Sequence, residues 1–299
     1  MTYLLTIFTP TYNRAYLLPR LYDSLTQQKK YNFEWIIVDD GSEDDTKSLV
    51  QKWINKERHF PIRYYYQQNM GKMMAHNKGV LMSDGRFFFC VDSDDLLPEN
   101  STQIIESECQ SIMYKEDIAG ILGLKADLSG KSLGKIWPST LTTGTSSELA
   151  WKYHMPGERS LIYKTNILRQ YLFPKLEGNK FIPESLVYNR IDQKYKLKYI
   201  PTVMTLCEYQ SDGYSKNIRR IVKDNPEGFQ LYYLEKIDVD YSIYDRLKSI
   251  AFYHTYYNLS QSQKWKYTGK HKFLVNLFKP IGIIGYLSYL YIFKYHLSK

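Results

Sequence analysis

The chain has 299 residues, of which 43% are hydrophobic and 16% aromatic, with 40 Lys and Arg against 31 Asp and Glu. This composition excludes an intrinsically disordered chain and a collagen-like repeat, and it provides ample material for a hydrophobic core. The three cysteines, Cys90, Cys109 and Cys207, are widely spaced and form no CxxC pair. The sequence therefore predicts neither a zinc site nor a disulfide framework, and it fits a reducing compartment.

The positive charge is concentrated near the C-terminus. Residues 246–299 contain nine Lys and Arg and no Asp or Glu, which leaves 31 basic residues, 40 less nine, against 31 acidic residues in the rest of the chain. Such an asymmetry suggests an anionic surface as a partner, either a membrane or a nucleic acid. We expect an anionic membrane surface and no nucleic acid.

The first 115 residues alternate short apolar runs with segments that carry apolar residues at helical spacing. The first run lacks the basic region and the long apolar core of a secretory signal, so we interpret it as a buried strand. This alternation is typical of an α/β fold with a parallel sheet covered by helices on both faces. The predicted strands are residues 4–9, 34–40, 62–66 and 86–92, and the predicted helices are residues 17–25, 49–54, 72–82 and 104–112.

The second half of the chain has weaker periodicity. Pro, Gly and Ser are dense between residues 129 and 157, which predicts irregular connections and the start of a second lobe. Residues 179–199 and 241–257 show helical patterns.

An apolar stretch at residues 273–293 is divided by Lys279 and Pro280, which leaves an uncharged run of 14 residues. A helix that crosses a bilayer needs roughly 20 apolar residues. The flanks are rich in Lys, Tyr and Trp, a composition typical of a segment that lies in a lipid interface. We expect peripheral attachment to the cytoplasmic face of the membrane; a buried C-terminal helix and a single span are the alternatives.

Four motifs follow the predicted strands, at the edge where open α/β sheets bind ligands. After the first strand, the turn in TPTYNR (residues 9–14) leaves backbone amides and Arg14 able to meet an anion. After the second, VDDGS (residues 38–42) offers a carboxylate that can accept a hydrogen bond from a nucleobase or a ribose. A helix cap is the alternative for this second motif.

In the third motif, NMGK (residues 69–72), Gly71 allows a ligand to approach the backbone closely, and Lys72 can neutralise a phosphate. The fourth, VDSDD (residues 91–95), ends an apolar strand. Residues two apart in an extended chain point the same way, so Asp92 and Asp94 project together and repel unless a cation lies between them. Carboxylate ligands favour Mg²⁺ or Mn²⁺. The alternative is an acidic turn with Asp95 as a helix cap.

In this order, the four motifs resemble those of the family 2 glycosyltransferases of the GT-A fold, over residues 3–115. The resemblance implies a nucleotide-sugar donor, with Asp92 near the ribose or sugar and Asp94 on a Mn²⁺ or Mg²⁺ ion bound to the diphosphate. Pro10 and Asp40 would frame the nucleotide, with Asp39 as the other candidate for the base. The expected donor-binding residues are Pro10, Tyr12, Arg14, Asp39, Asp40, Lys72, Asp92 and Ser93.

The same family commonly has an acidic pair or a single acid in the second lobe that acts as the catalytic base of inverting transfer. Here Glu184 is followed by Ser185 rather than by a second acid. Its place at the start of a predicted helix favours an ionised carboxylate. We expect Glu184 to be the base, with Glu158 and Asp192 in reserve.

The resemblance divides the chain into a donor-binding half of the GT-A domain (residues 1–115), an acceptor-binding half (116–220) and a basic, helical C-terminal extension (221–299). Residues 209–215 resemble a loop of bacterial relatives and lack the QxxRW pattern of processive synthases. The expected enzyme is a hexosyltransferase that moves a sugar from a UDP-sugar to a saccharide or lipid-linked acceptor. The alternatives are a haloacid-dehalogenase-type phosphatase with Asp92 as nucleophile and a non-catalytic glycan- or membrane-binding protein.

Overall fold

A computed structural model describes residues 2–208, 210, 217–239, 242–260 and 265–296. The chain forms two compact units: unit 1 comprises Met1–Phe173 and Arg190–Ser211, and unit 2 comprises Pro174–Asn189 and Asp212–Lys299. Unit 1 contains the sheet, and unit 2 is helical. The functional division at residues 115 and 220 stays a prediction. The loop predicted at 209–215 lies outside the described residues, except for Gln210.

The sheet of unit 1 has nine strands within the described residues, in the order β3-β2-β1-β4-β8-β6-β9-β5, with β7 paired to β9. The strands are β1 (Tyr3–Thr11), β2 (Phe33–Asp39), β3 (Ile62–Tyr66), β4 (Gly85–Cys90), β5 (Asp95–Leu96), β6 (Ile118–Asp127), β7 (Thr143–Gly144), β8 (Arg159–Lys164) and β9 (Lys196–Cys207).

The first four strands of the sheet, β1 to β4, are parallel to one another, as the alternating pattern predicts. The two central ones, β1 and β2, are buried along almost their whole length, because both faces of the sheet are covered there. Helices connect them. The α-helices up to residue 192 are α1 (Leu18–Thr26), α2 (Thr46–Lys56), α3 (Lys72–Met82), α4 (Ser101–Ile112), α5 (Thr165–Leu168) and α6 (Ser185–Asp192), and a short π-helix covers Glu148–Lys152.

An aromatic group anchors α1 and α2 to the sheet. Trp35 is fully buried in β2, and its ring stacks on those of Tyr22 and Trp53 at centroid distances of 6.2 and 5.8 Å. The indole nitrogen of Trp35 donates a hydrogen bond to Thr9 Oγ1 over 3.0 Å, so its burial leaves no unpaired donor there.

The second half of the sheet is mixed. β8 runs antiparallel to both β4 and β6, whereas β6 and β9 are parallel. The helix predicted over residues 179–199 is wrong at both ends, because only Ser185–Asp192 within it is helical and β9 begins at Lys196. Pairing with β6 stabilises residues 196–199 as strand and overrides their weak helical pattern.

Unit 2 is built from helices that pack through aromatic side chains. These helices are α7 (Ile218–Asp224), α8 (Pro226–Lys236), α9 (Ile243–Ser260), α10 (Lys272–Leu277) and α11 (Lys279–His296). The helix predicted at 241–257 corresponds to α9. The rings of Phe229 and Tyr233 contact that of Tyr256 at 5.3 and 5.5 Å, which ties α8 to α9.

The divided apolar stretch becomes two helices, α10 and α11. Pro280 lies in the first turn of α11, where its missing N–H costs no hydrogen bond. Gly282 faces α9 so closely that a Cβ there would collide with the His254 side chain. Among the helices that the structure describes, none combines the length and hydropathy that a membrane crossing requires.

Candidate active site

The ends of β2, β1 and β4 bring three of the four motifs to one edge of the sheet. These strands are neighbours, and their register places Thr11 opposite Asp39 and Phe8 opposite Cys90. The loops that follow them carry the TPTYNR, VDDGS and VDSDD motifs. The carboxyl-terminal edge is where parallel α/β sheets bind ligands.

The VDSDD segment forms a tight turn at the end of β4. The Val91 amide donates to the Phe8 carbonyl over 2.9 Å, which carries the strand pairing one residue beyond β4. The Asp95 amide then donates to the Asp92 carbonyl over 3.0 Å. Asp95 itself opens β5 and pairs with Cys207. This turn places the carboxylates of Asp92, Asp94 and Asp95 in one short segment.

Lys72, the first residue of α3, neutralises Asp92. Its Nζ lies 2.7 Å from Oδ1 and 2.8 Å from Oδ2 of that carboxylate. Burial opposes the charged form of Asp92, but Lys72 and Lys125 outweigh it and lower the pKa of Asp92 below its usual value. The NMGK motif thus contributes its cation to the VDSDD turn.

Arg14 reaches Asp94 from the loop after β1, with its Nη1 3.6 Å from Oδ2. That loop is tied to the loop after β2 by reciprocal hydrogen bonds: the Asn13 amide donates to Ser42 Oγ over 2.8 Å, and the Glu43 amide donates to Asn13 Oδ1 over 2.8 Å. These bonds fix the backbone directly before Arg14.

Asp95 is held by Lys125, a residue that the motifs do not include. Lys125 Nζ lies 2.8 Å from Asp95 Oδ2, and both side chains are largely buried. Burial acts against the Lys125 ammonium, but the charges of Asp95 and Asp92 raise its pKa. The signal in the sequence is a single lysine inside the apolar run of β6.

Asp94 is the acid whose charge is least well compensated among the three. Burial raises the pKa of Asp94 to about 6. The negative charges of Asp92 and Asp95 add to this rise, and Arg14 opposes it. A carboxylate in such a position gains from a further cation.

The carboxylate of Asp40 is hydrogen-bonded to other residues of the protein. Its Oδ1 accepts hydrogen bonds from Gln67 Nε2 and the Met70 amide, and its Oδ2 accepts one from the Gly71 amide, all between 2.8 and 2.9 Å. Gly71 has φ +92°, a conformation that favours glycine, and it caps α3. Asp40 therefore fixes the loop from which Lys72 extends.

Asp39 is also buried, but its carboxylate makes fewer contacts. Oδ1 accepts from the Ser42 amide over 2.7 Å, and Oδ2 accepts from the Tyr64 hydroxyl over 2.6 Å. An ionised carboxylate has about four lone-pair sites, so Asp39 keeps more accepting capacity than Asp40.

The other predicted residues lie in both units. In unit 1, Pro10 is buried in β1 opposite Val38, Ser93 is buried in the acidic turn, and the Tyr12 side chain is 47% exposed. Glu184 belongs to unit 2 and directly precedes α6.

The comparison with protein families matches residues 6–107 to Glycosyl transferase family 2. The chain carries a glycosyl transferase family 2 domain. This segment includes most of β1, all of β2 to β4 and all four motifs.

Curated glycosyltransferases are also similar to part of the chain. A Campylobacter jejuni protein named GalNAc(5)-diNAcBac-PP-undecaprenol beta-1,3-glucosyltransferase is 31% identical over an alignment of 144 residues, and the match covers 44% of each chain. The chain spans less than half the length of the curated relatives it matches.

Solved structures confirm the predicted GT-A fold. S. aureus TarS 1-349 in complex with UDP-GlcNAc aligns with a TM-score of 0.59 and 18% identity, over 95% of this chain and 80% of that one. The mannosyltransferase PcManGT from Pyrobaculum calidifontis, in complex with GDP-Man and Mn²⁺, aligns with a TM-score of 0.57 and 19% identity, over 96% and 84% of the two chains.

The described residues do not form a complete protein cage for a metal ion around Asp94. Within the described residues, no group of three or more His, Cys, Asp or Glu side chains is arranged to hold a metal. Mg²⁺ and similar ions are often bound by one or two carboxylates together with waters and substrate phosphates. The poorly compensated Asp94 fits that type of site.

Proposed function

We propose that this protein is an inverting, metal-dependent glycosyltransferase that moves a sugar from a UDP-sugar to a saccharide or lipid-linked saccharide acceptor during cell-surface glycan synthesis. The observation that carries the proposal is the acidic turn after β4. There Asp92 is held by Lys72 and Asp95 by Lys125, while Asp94 lies 3.6 Å from Arg14. The turn lies inside the segment that matches the family.

Transfer requires the bond between the anomeric carbon and the diphosphate to break, and negative charge builds on the departing group. A bound Mn²⁺ or Mg²⁺ ion would offset that charge as a Lewis acid. Asp94 would hold this ion, and Arg14 and Lys72 supply fixed positive charge at the same strand end. The solved complex of the mannosyltransferase PcManGT with GDP-Man and Mn²⁺ is consistent with this assignment.

We assign recognition of the nucleobase to Asp39 rather than Asp40. Asp39 accepts two hydrogen bonds from the chain, whereas Asp40 accepts three and fixes the loop before α3. An imide N–H, as in uracil, is a donor that a buried carboxylate can accept. The UDP-GlcNAc complex of TarS supports a uridine donor.

The acceptor hydroxyl must lose its proton as it attacks, and we assign this step to Glu184. It directly precedes α6, and a carboxylate in this position can take a proton as a general base. The next residue, Ser185, hydrogen-bonds the Tyr232 hydroxyl. Ser185 therefore has a structural contact where the family often has a second acid.

A lipid-linked acceptor agrees with the undecaprenol-linked substrate in the name of the Campylobacter relative. It also agrees with the apolar side chains that α10 and α11 expose, among them Phe273 and Ile284, which are 82% and 63% exposed. Basic residues flank these helices and no acidic residue follows Arg246. We propose that they bind an anionic membrane surface on its cytoplasmic face.

The phosphatase alternative loses support at Asp92. A nucleophilic carboxylate needs access to phosphorus, whereas both oxygens of Asp92 lie within 2.8 Å of Lys72 Nζ. The family match across the same turn favours glycosyl transfer.

The proposal is tested by release of UDP from UDP-glucose, UDP-galactose and UDP-N-acetylglucosamine in the presence of Mn²⁺, with and without undecaprenyl-linked saccharides. We expect turnover with one donor, and a loss of at least about 100-fold in Asp94→Asn with an unchanged melting temperature. Asp117→Asn, which changes an exposed acid of the same unit, should keep full activity. Full Mn²⁺-dependent turnover in Asp94→Asn would contradict the assignment.

The base is tested separately. Glu184→Gln should lower kcat about 100-fold or more at saturating acceptor while UDP binding is unchanged, because the variant cannot take the proton. The exposed Glu177 belongs to the same unit, and Glu177→Gln serves as the matched control. Near-normal kcat in Glu184→Gln would show that another group is the base.

A further inference from the structure

Glu158 directly precedes β8, the strand that lies between β4 and β6. In the antiparallel β4–β8 pair, Phe89 is opposite Ile162. Because the two strands are antiparallel, β8 begins at Arg159 on the side of the sheet where β4 ends at Cys90, next to the turn that carries Asp92. Glu158 therefore lies at the edge of the sheet that carries the acidic turn, and it belongs to the same compact unit.

The pairing of β8 with β6 gives the same placement. Leu124 is opposite Arg159, and the next position in this register brings Lys125 level with Glu158. Directly opposed residues point to the same face of a sheet. Glu158 and Lys125 therefore share a face, and Lys125 is the lysine that holds Asp95.

Electrostatics supports this position independently of the register. Burial raises the pKa of the Cys207 thiol, Lys125 opposes the rise, and the negative charges of Asp95 and Glu158 add to it. Cys207 hydrogen-bonds Asp95, so the charge of Glu158 acts close to the acidic turn. Unlike Asp95, Glu158 is exposed to solvent.

We propose that Glu158 accepts hydrogen bonds from hydroxyl groups of a saccharide at the reaction centre. The proposal rests on the proposed function, which brings a donor sugar and an acceptor to this edge. An exposed carboxylate can accept two hydroxyl hydrogen bonds, and charge-assisted bonds of this kind are stronger than neutral ones. The saccharide is either the transferred sugar or the acceptor, and the two are distinguished by experiment.

The test uses Glu158→Ala and Glu158→Gln in the full chain. Calorimetry in Mn²⁺ measures binding of UDP and of whichever of UDP-glucose, UDP-galactose and UDP-N-acetylglucosamine the wild-type protein binds most tightly. Steady-state kinetics gives the KM of the acceptor. Glu116→Ala is the matched control, since Glu116 is exposed near the opposite end of the β6–β8 pair.

If Glu158 binds the transferred sugar, Glu158→Ala should weaken binding of the UDP-sugar about 10- to 100-fold and leave UDP binding and the melting temperature unchanged. If it binds the acceptor, the acceptor KM should rise by a similar factor. Glu158→Gln keeps one acceptor oxygen without the charge, so its effect should be smaller.

Unchanged UDP-sugar binding together with an unchanged acceptor KM would overturn the proposal. A loss confined to kcat would also overturn it, because Glu158 would then act on the proton rather than on binding. Wild-type protein that binds no UDP would instead contradict the proposed function.

Discussion

Asp39 and Asp40 are adjacent in the sequence, but their carboxylates make different contacts. Asp40 accepts three hydrogen bonds from the loop before α3, whereas Asp39 accepts one from Ser42 and one from Tyr64. The motif VDDGS predicts a carboxylate at this strand end, but not which of the two faces a ligand. That choice depends on Gln67 and Tyr64, which are distant in sequence, so only the folded chain reveals it.

The difference predicts distinct outcomes for two conservative variants. Asp39→Asn should weaken UDP binding about tenfold or more, since it removes the charged carboxylate that accepts a hydrogen bond from the nucleobase N–H. Asp40→Asn should instead lower the free energy of unfolding by about 2 kcal/mol, because it replaces a carboxylate that satisfies three buried or half-buried donors. Calorimetry and chemical denaturation of both variants measure these effects. The reverse pattern would show that Asp40, rather than Asp39, binds the nucleobase.

Lys125 is a residue that the motifs miss, because its partner Asp95 is brought to it by the sheet. We expect Lys125→Met to lower the free energy of unfolding by about 3–5 kcal/mol, since Asp95 would remain buried without its cation. Adding Asp95→Asn to Lys125→Met should restore part of the loss. Urea denaturation checks both. A double variant no more stable than Lys125→Met would argue against the ion pair as the cause.

At the scale of the elements, the sequence predicts strands where burial on both faces produces continuous apolar runs. β1 to β4 and the helix α3 agree with their predictions within a few residues. The second half of the sheet is harder to predict, since β8 and β9 pair with strands distant along the chain. Residues 196–199 illustrate this: their local pattern is helical, but the partner strand β6 decides their structure.

The helices α10 and α11 carry a prediction of their own. Gly282 turns toward α9, which leaves apolar side chains such as Ile284 exposed. We expect Phe273→Ser/Ile284→Ser to bind vesicles rich in phosphatidylglycerol about tenfold more weakly than the wild-type chain, because each side chain contributes apolar area to the lipid contact. Co-sedimentation with vesicles measures the change.

The control for this experiment changes exposed apolar residues at the start of α9. Ile243 and Tyr244 are 61% and 71% exposed, and Ile243→Ser/Tyr244→Ser should bind vesicles as the wild type does. Binding should also weaken as salt is added, since basic flanks contribute through screened charges. Equal binding by all three proteins would argue against a lipid contact through α10 and α11.

At the scale of the whole molecule, the sheet edge of unit 1 gathers residues from β1, β2, β4, β6, β8 and α3, and the family 2 match covers only part of this set. The four motifs predict the first-half residues of the candidate site, because each motif lies at or near the end of a strand. Lys125 and Glu158 come from the second half of the sheet, and no short motif marks them. Their role depends on strand order, which the sequence does not state.

We expect Asp94 to bind a divalent ion together with the diphosphate of the donor. Calorimetric titration of UDP into the wild-type chain and into Asp94→Asn, each in Mn²⁺ and in EDTA, tests it most directly. We predict that Mn²⁺ strengthens UDP binding at least tenfold, about 1.4 kcal/mol, in the wild type and has little effect in the variant. Equal gains from Mn²⁺ in both proteins, or no gain in either, would contradict the account.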